Sequence, residues 1–470
     1  MLIHIIRKEL QELLRERLLQ IAVLALAALL ITSLSLSYAY HQTLSEQTEA
    51  ASALARTHWE EQGAKNQHSA AHYGIYLFKP RSVLAFWDPG VDPYVGATTY
   101  IEAHKRNQPL FKPVEESPLL ARWGQLTPAF VMLFLLPLLI VWLCAGSISR
   151  DREQGTLRFV LSQGVPWRTL LLGKTLSRWV VVLALAMPAF GGMLVLFSGF
   201  GSRGLPLAET GLLLLVYLAY LGVFIHLGVA ISARVSRSTM AVLLMLAFWV
   251  VNVWMLPKLA TNLAEWAYPI PTGESFQQAL AEEIEAKGIR RHDPNNPRTI
   301  AFTQQTLDKY GVDSIEALPV NFNGLILQAA EDRNDAIFDQ HYQALFDQYG
   351  RQLHLTKYAG LLSPFWQARQ LSMGLCQTDL WANLDFQAAT DRYRKQFIRA
   401  LNEDLIQSGP VREDGERYVR DQAFWQTVPD FAYQAPSLAL TWTHHALSGL
   451  ILLGWLLLSG LLLGMSREKI

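Results

Sequence analysis

Gly173-Lys174-Thr175 has the ending of a phosphate-binding loop, so nucleotide chemistry is the first to test. Such a loop needs a glycine five positions before its second glycine, so that backbone amides wrap the phosphates, and that position holds Arg168. The tripeptide also opens an apolar run instead of following a strand, so any ATP must be bound and hydrolysed by another chain. His58, His68 and His72 gather in one polar stretch, the last two at a spacing that sets two imidazoles on one helix face, as in a zinc pair. No cysteine or carboxylate nearby completes a ligand set, and these histidines are read as solvated, with no metal expected. Asp332, Asp335, Asp339 and His341 read as an acidic helix face. A Ser/His/Asp triad is spatial and cannot be argued from spacing; no catalytic residue and no cofactor are expected. Within apolar runs, His226 and Asn252 are the notable polar groups, read either as hydrogen-bonding links between helices or as an intramembrane polar path.

The elements that must position these groups follow from segregation of charge. The chain of 470 residues has a formal net charge of zero, with 51% hydrophobic and 17% charged residues. Charge is nearly absent from several windows of about twenty residues, enough to cross a hydrocarbon core of about 30 Å. No basic domain marks a nucleic-acid binder. Cys144 falls in an apolar run and Cys376 in a polar region, so both are read as free thiols.

Residues 1–17 are amphipathic, with Ile3, Ile6, Leu10, Leu13 and Leu14 on one face and Arg7, Lys8, Glu9, Glu12, Arg15 and Glu16 on the other, as in an interfacial helix. Six spans are expected at 18–40, 126–148, 179–200, 211–233, 238–257 and 444–465. Ser37-Tyr38-Ala39 would suit a signal peptidase, but the apolar run is longer than a signal peptide needs. Pro137 inside the second span predicts a kink. Trp123, Trp179, Trp254 and Trp442 lie near span ends, as interface anchors do, and His444 and His445 flank the last span. With the N-terminus in the cytoplasm, the loop 149–178 and the tail 466–470, carrying Arg467 and Lys469, fall on the basic inner side, and the short loop with Arg203 falls outside.

Residues 41–125 and 258–443 are then both extracytoplasmic. The first is punctuated by Trp87-Asp88-Pro89-Gly90 and reads as turns and short pieces, although 43–58 has helical composition and can extend the first span. The second is largely helical, with an amphipathic stretch that sets Phe386, Tyr393, Phe397 and Leu401 against Arg392, Arg394, Lys395 and Arg399, and with a turn at Leu362-Ser363-Pro364-Phe365. At roughly 185 residues it is long enough for its own core, or its helices extend the spans and pack on the first polar segment.

The loop between the second and third spans carries Asp151-Arg152-Glu153-Gln154-Gly155-Thr156-Leu157-Arg158 where a bare reversal would suffice. Alternating charge, a glycine break and an apolar continuation suit a surface segment offered to a partner. Glu153-Gln154-Gly155-Thr156-Leu157, then Leu161-Ser162, Pro166, Arg168 and Gly173-Lys174, resembles the pattern of ABC-2 type transporter permeases. Leu362-Ser363-Pro364-Phe365, Gln370-Leu371-Ser372, Thr378-Asp379-Leu380, Tyr393-Arg394, Leu401-Asn402-Glu403-Asp404-Leu405 and Trp87-Asp88-Pro89-Gly90 resemble a subfamily with a large extracytoplasmic domain between the fifth and sixth spans. Leu375-Cys376-Gln377 departs from it, where an alanine-glycine type of sequence is expected.

The resemblance implies a mainly α, polytopic membrane protein with six transmembrane helices, an N-terminal interfacial helix and a largely helical extracytoplasmic domain. It implies a non-catalytic permease subunit, an exporter by expectation, in a bacterial inner membrane. Two ATP-binding subunits and a second permease subunit, identical or related, are the implied partners. Arg152, Glu153, Gly155, Thr156, Leu157 and Arg158 are the residues expected to receive force from the ATPase. Two alternatives stay open: a subunit that transmits force to a periplasmic partner without transport, and a non-ABC receptor or assembly scaffold.

Overall fold

The computed structural model describes residues 1–117, 124–198, 205–289, 293, 295–410 and 418–467. Trp123, Arg203 and Lys469 lie outside the described residues. Among the described residues, six helices are long and apolar enough to cross a membrane: Arg17–Glu60, Pro128–Glu153, Trp167–Leu196, Leu207–Arg234, Ser238–Ala267 and Leu438–Gly464. The chain is mainly α-helical and polytopic. A short two-stranded antiparallel sheet, β1 (Ile75–Phe78) against β2 (Thr98–Ile101), was not foreseen.

The amphipathic start forms α1 (Leu2–Arg15), which breaks at the extended Glu16 and continues as α2 (Arg17–Glu60), the first span and its outward extension in one helix of 44 residues. The second span ends in α4 (Leu136–Ala145), with α3 (Gln67–Tyr73) lying before it in the polar segment. After the short helices α5 (Ser149–Glu153) and α6 (Thr156–Ser162), the third span is α7 (Trp167–Ser198), the fourth α8 (Leu207–Arg234) and the fifth starts as α9 (Ser238–Val250) and continues as α10 (Leu256–Ala267). α7 begins well before position 179, because the charges that suggested an edge there are neutralised within the fold. In the second polar segment the helices that position the rest are α11 (Gly273–Lys287), α12 (Pro297–Tyr310), α13 (Phe322–Ala359), α14 (Pro364–Leu375) and α15 (Leu380–Ile406); the sixth span is α16 (Leu438–Gly464).

The second and fifth spans each carry a π turn next to a proline, at Val131–Leu135 and Val251–Met255. Pro137 cannot donate to Leu133 O, four residues back, and Tyr220 on α8 supplies the missing donor from its hydroxyl at 2.8 Å. In π register the donor to Asn252 O would be residue 257, also a proline, and Ser363 Oγ donates instead at 2.9 Å. Each kink is thus stitched to a neighbouring element.

α14 belongs to the membrane core rather than to a separate outer body. Phe365, Ala368, Leu371 and Leu375 are buried in one apolar cluster with residues of the spans, and Phe365 meets Phe134 edge-on at a ring distance of 4.9 Å and Tyr220 in a tilted contact at 6.4 Å. The Trp87-Asp88-Pro89-Gly90 stretch closes over its end. Trp87 Nε1 donates to Tyr217 OH (3.1 Å), Tyr217 bonds Ser372 Oγ (2.8 Å), and Ser372 Oγ bonds Asp88 Oδ2 (2.6 Å). Ser372 donates its one proton to Asp88, so the tyrosine donates to the serine, giving a one-way chain of donors. Asp88 and Thr378 are joined again, Thr378 Oγ1 donating to Asp88 O at 2.8 Å.

The two polar segments share a core: Trp59, Ala70, Ile75 and Ile101 from the first pack with Phe397, Leu401 and Trp425 from the second. The acidic face of α13 is zipped to the basic face of α15 through Asp332–Arg399, Asp335–Arg394 and Asp339–Lys395. His341 bonds Glu283 of α11. The aspartates are therefore spent in ion pairs, as an acidic helix face would be.

Gly90 tests this packing. Its φ is 52°, and a Cβ there would lie 2.3 Å from Thr378 O, a backbone atom. Gly90→Ala is expected to destabilise the protein by about 2–3 kcal/mol through left-handed strain and the clash. Thermal unfolding in detergent measures it; a melting temperature equal to wild type would show that the outer lid does not contribute to global stability.

Candidate functional site

The loop between the second and third spans folds as α5, a glycine joint and α6. Gly155 takes φ 72°, the left-handed conformation glycine adopts without a Cβ penalty, and so separates α5 from α6. Ser232 Oγ accepts from Ile148 N and Ser149 N, each at 3.0 Å, and fixes the start of the segment to α8.

Arg152 and Glu153 then clasp the junction between the fourth and fifth spans. Arg152 donates to Ala233 O (2.9 Å) and Val235 O, at the carbonyl end of α8. Glu153 accepts from Ser238 N (3.0 Å) and Ser238 Oγ (2.7 Å), at the amide end of α9. A cation thus satisfies carbonyls left free at a helix C-terminus, and an anion satisfies an amide left free at an N-terminus, the signs that helix dipoles favour. These two predicted coupling residues bind the chain's own helices.

The remaining predicted residues divide by face. Leu157 is buried, with Val160 and Leu161 beside it against the apolar cluster of the spans. Gly155, Thr156 and Arg158 are exposed, and Phe159, which sequence reasoning passed over as part of an apolar continuation, is 68% exposed. α6 therefore has one face seated on the bundle and an open face carrying an aromatic ring beside a guanidinium. Hot spots of protein interfaces favour such residues.

Beneath this segment lies a buried charge cluster. Glu9, placed by its sequence pattern on the polar face of α1, points inward instead and is 3% exposed. Its carboxylate binds Lys174 Nζ at 2.8 Å and Arg178 Nη1 at 2.7 Å, both on α7, and Lys174 also binds Asp151 Oδ2 of α5 at 2.8 Å. Burial acts to raise the Glu9 pKa, but the two cations outweigh it and hold the carboxyl down at about 2. Gly173 makes the approach feasible, since a Cβ there would strike Ile5 at 2.5 Å. The Gly173-Lys174 pair that failed as a phosphate loop is the seat of α1.

The two intramembrane polar residues lie apart, and no contact joins them among the described residues. His226 Nδ1 is 3.4 Å from Ser459 Oγ on the sixth span, a link between helices. Asn252 is buried in the π turn of the fifth span, its amide nitrogen bonded to Phe248 O at 3.0 Å and its Oδ1 without a protein partner. It sits where Ser363, at the head of α14, meets the kink. His445, expected at the interface, is buried and bonded to Asp379 at 2.7 Å; that aspartate also caps α15 through Ala382 N.

Residues 109–276, which hold the second to fifth spans and the α5–α6 segment, match the family described as ABC-2 family transporter protein. The match covers the second to fifth spans and supports a multi-pass membrane permease subunit of an ABC transporter, a family whose permeases work in general with an ABC ATP-binding partner. Residues 274–434 match a domain of unknown function, DUF3526. No curated protein matches the chain.

Sequence reasoning missed Glu9, Asp151, Lys174 and Arg178 as a unit. The available signal was a pair of basic residues one helical turn apart, 174 and 178, at the mouth of a span, with no acid of their own nearby.

Because the folded Glu9 carboxyl is held near 2 against an ordinary value of 4.5, the clamp's stabilisation is whole above the ordinary value and is lost as acid approaches the folded one. Glu9→Gln leaves two buried cations short of a partner. Its melting temperature is expected well below wild type at about pH 6, with the gap narrowing toward about pH 3. A gap that stays constant over that range would remove Glu9 from the linkage.

Proposed function

We propose that the chain is the permease subunit through which a separate ATP-binding subunit drives export of a substrate across a bacterial inner membrane. Both termini and the α5–α6 segment face the cytoplasm in this reading, supported by the basic residues at positions 150, 152, 158, 168, 174 and 178. Two permease subunits, each of them this chain or one of them a related chain, work with two ATP-binding subunits.

The observation that carries the reading is the two-sided build of the segment. Arg152 and Glu153 tie it to the ends of the fourth and fifth spans, while Arg158 and Phe159 on α6 stay open to a partner. A push on the open face is delivered to the fourth span and to the fifth, which carries the Asn252-bearing π turn. The free energy for a change of state comes from differential contacts with the two states of the ATPase.

A second reading, transmission of force to a periplasmic partner without transport, draws support from α2. This helix runs unbroken from the foot of α1 to Trp59, which is buried in the core shared by the two polar segments.

The test uses the full-length chain in mild detergent with its co-expressed ATP-binding subunit. Phe159→Glu is expected to lower recovery of that subunit about tenfold or more with an unchanged melting temperature, because the ring is exposed. Glu153→Arg and Gly155→Pro are expected to retain the subunit but uncouple ATP hydrolysis from transport. Full binding by the first variant together with full coupling in the other two would sink the assignment. Substrate movement into vesicles separates transport from the force-transmission reading.

A further inference from the structure

We propose that His68, His72 and His104 form a binding site for one divalent transition-metal ion, zinc fitting best, with Glu331 holding the third ligand in place. The inference is independent of the transport reading and concerns the polar layer.

α3 sets His68 and His72 one turn apart on one face, and its start is fixed by the Asn66 side chain, which accepts from His68 N at 3.0 Å. The third histidine comes from the loop after β2, beyond the reach of any local sequence pattern. His104 has φ 65°, uncommon outside glycine, and Glu331 of α13 holds it there. The carboxylate accepts from His104 N at 3.0 Å and lies 2.5 Å from His104 Nδ1. With Nδ1–H given to Glu331, the lone pair left for a metal is on Nε2. This is the carboxylate–histidine–metal arrangement that fixes a ligand's tautomer and raises its basicity.

The three rings already surround a common point. Their centroids are 4.6, 5.3 and 5.1 Å apart, and one candidate ligand atom from each lies within 4.8 Å of the others. Three imidazoles on a tetrahedral zinc, with Zn–N bonds of about 2.0–2.1 Å, have ring centres about 5 Å apart and nitrogens about 3.3 Å apart. An all-imidazole set favours zinc, copper or nickel and disfavours magnesium and calcium, which take oxygen ligands.

The support behind the ligands is rigid. Glu331 is 2% exposed and faces Arg394 at 3.8 Å, and that guanidinium is in turn held by Asp335 and Asp391. The front of the site is open: His72 is exposed, and His68 and His104 are half-buried. Three protein nitrogens with an open fourth position are the build of a zinc site that exchanges or activates a ligand, whereas structural sites are closed by four. A bound ion would join α3, the β2 loop and, through Glu331, α13, and so fasten the first polar segment to the second.

The experiment uses the full-length protein, without a polyhistidine tag, stripped with chelator and titrated with zinc chloride by calorimetry. Cobalt(II) absorption reports the geometry. Wild type is expected to take up about one zinc per chain and to give the visible bands of four-coordinate cobalt. His72→Ala, at an exposed position, is expected to weaken binding about a hundredfold or more while its melting temperature in chelator stays at the wild-type value. Glu331→Gln is expected to weaken it about 10- to 100-fold, and His58→Ala, exposed on α2, to leave it unchanged. No zinc uptake by wild type, or equal uptake by His72→Ala and wild type, overturns the proposal. If His104→Ala or Glu331→Gln fails to fold, His72→Ala decides alone.

Discussion

Glu9, enclosed by the bundle, binds Lys174 at 2.8 Å and Arg178 at 2.7 Å, while Lys174 turns its other side to Asp151. Three charges, Glu9, Lys174 and Arg178, are taken out of water together with Asp151 half-buried at their edge, and such a set persists only while every buried member is matched, since an unpaired charge left in a buried pair's place costs about 3–5 kcal/mol. The matching fixes more than stability. α1 cannot slide, α7 cannot rotate and α5 cannot lift without unpairing a charge, so the interfacial helix, the third span and the coupling segment share one registration. Arg152 and Glu153 extend it to the fourth and fifth spans by bonding helix-end groups instead of other charges.

The opposite end of the bundle is organised by neutral donors and a single acceptor. Asp88 terminates a chain that starts at the indole of its neighbour Trp87 and returns through the Tyr217 phenol and the Ser372 hydroxyl, so it joins three separate parts of the sequence. Here α14 enters the membrane core and repairs the kink of the fifth span through Ser363, while Tyr220 of α8 repairs that of the second. The polar layer is thus anchored in the same packed interior that the spans use. This accounts physically for Trp87-Asp88-Pro89-Gly90, for Ser363-Pro364-Phe365 and for Ser372: they make the joint between layer and bundle.

Span number and helical character could be read from the sequence because charge segregation and helix length are local properties. So could the glycine joint at Gly155 and the extension of the first span. The inward turn of Glu9 could not, because an amphipathic pattern assigns a carboxylate to the wet face and only α7 supplies the cations that reverse it. The start of α7 at Trp167 was hidden for the same reason: Lys174 and Arg178 look like a boundary until their partner is placed. In the stretch 151–158 and its continuation, composition could not separate Arg152, Glu153 and Leu157, which face the chain's own helices, from Arg158 and Phe159, which face outward. His104 stands 32 positions after His72, so sequence spacing could not bring it to the pair on α3.

The unbroken course of α2 has a geometric consequence. Forty-four residues at the helical rise make a rod of roughly 66 Å, stepping off α1 at Glu16 and ending beside Trp59 in the outer core. Over that length a tilt of about 5° at the foot displaces the tip by roughly 6 Å, more than one helical pitch. A shift of α1 too small to break the Glu9 clamp would therefore arrive at the outer layer as a stroke large enough to move a side chain from one socket to the next.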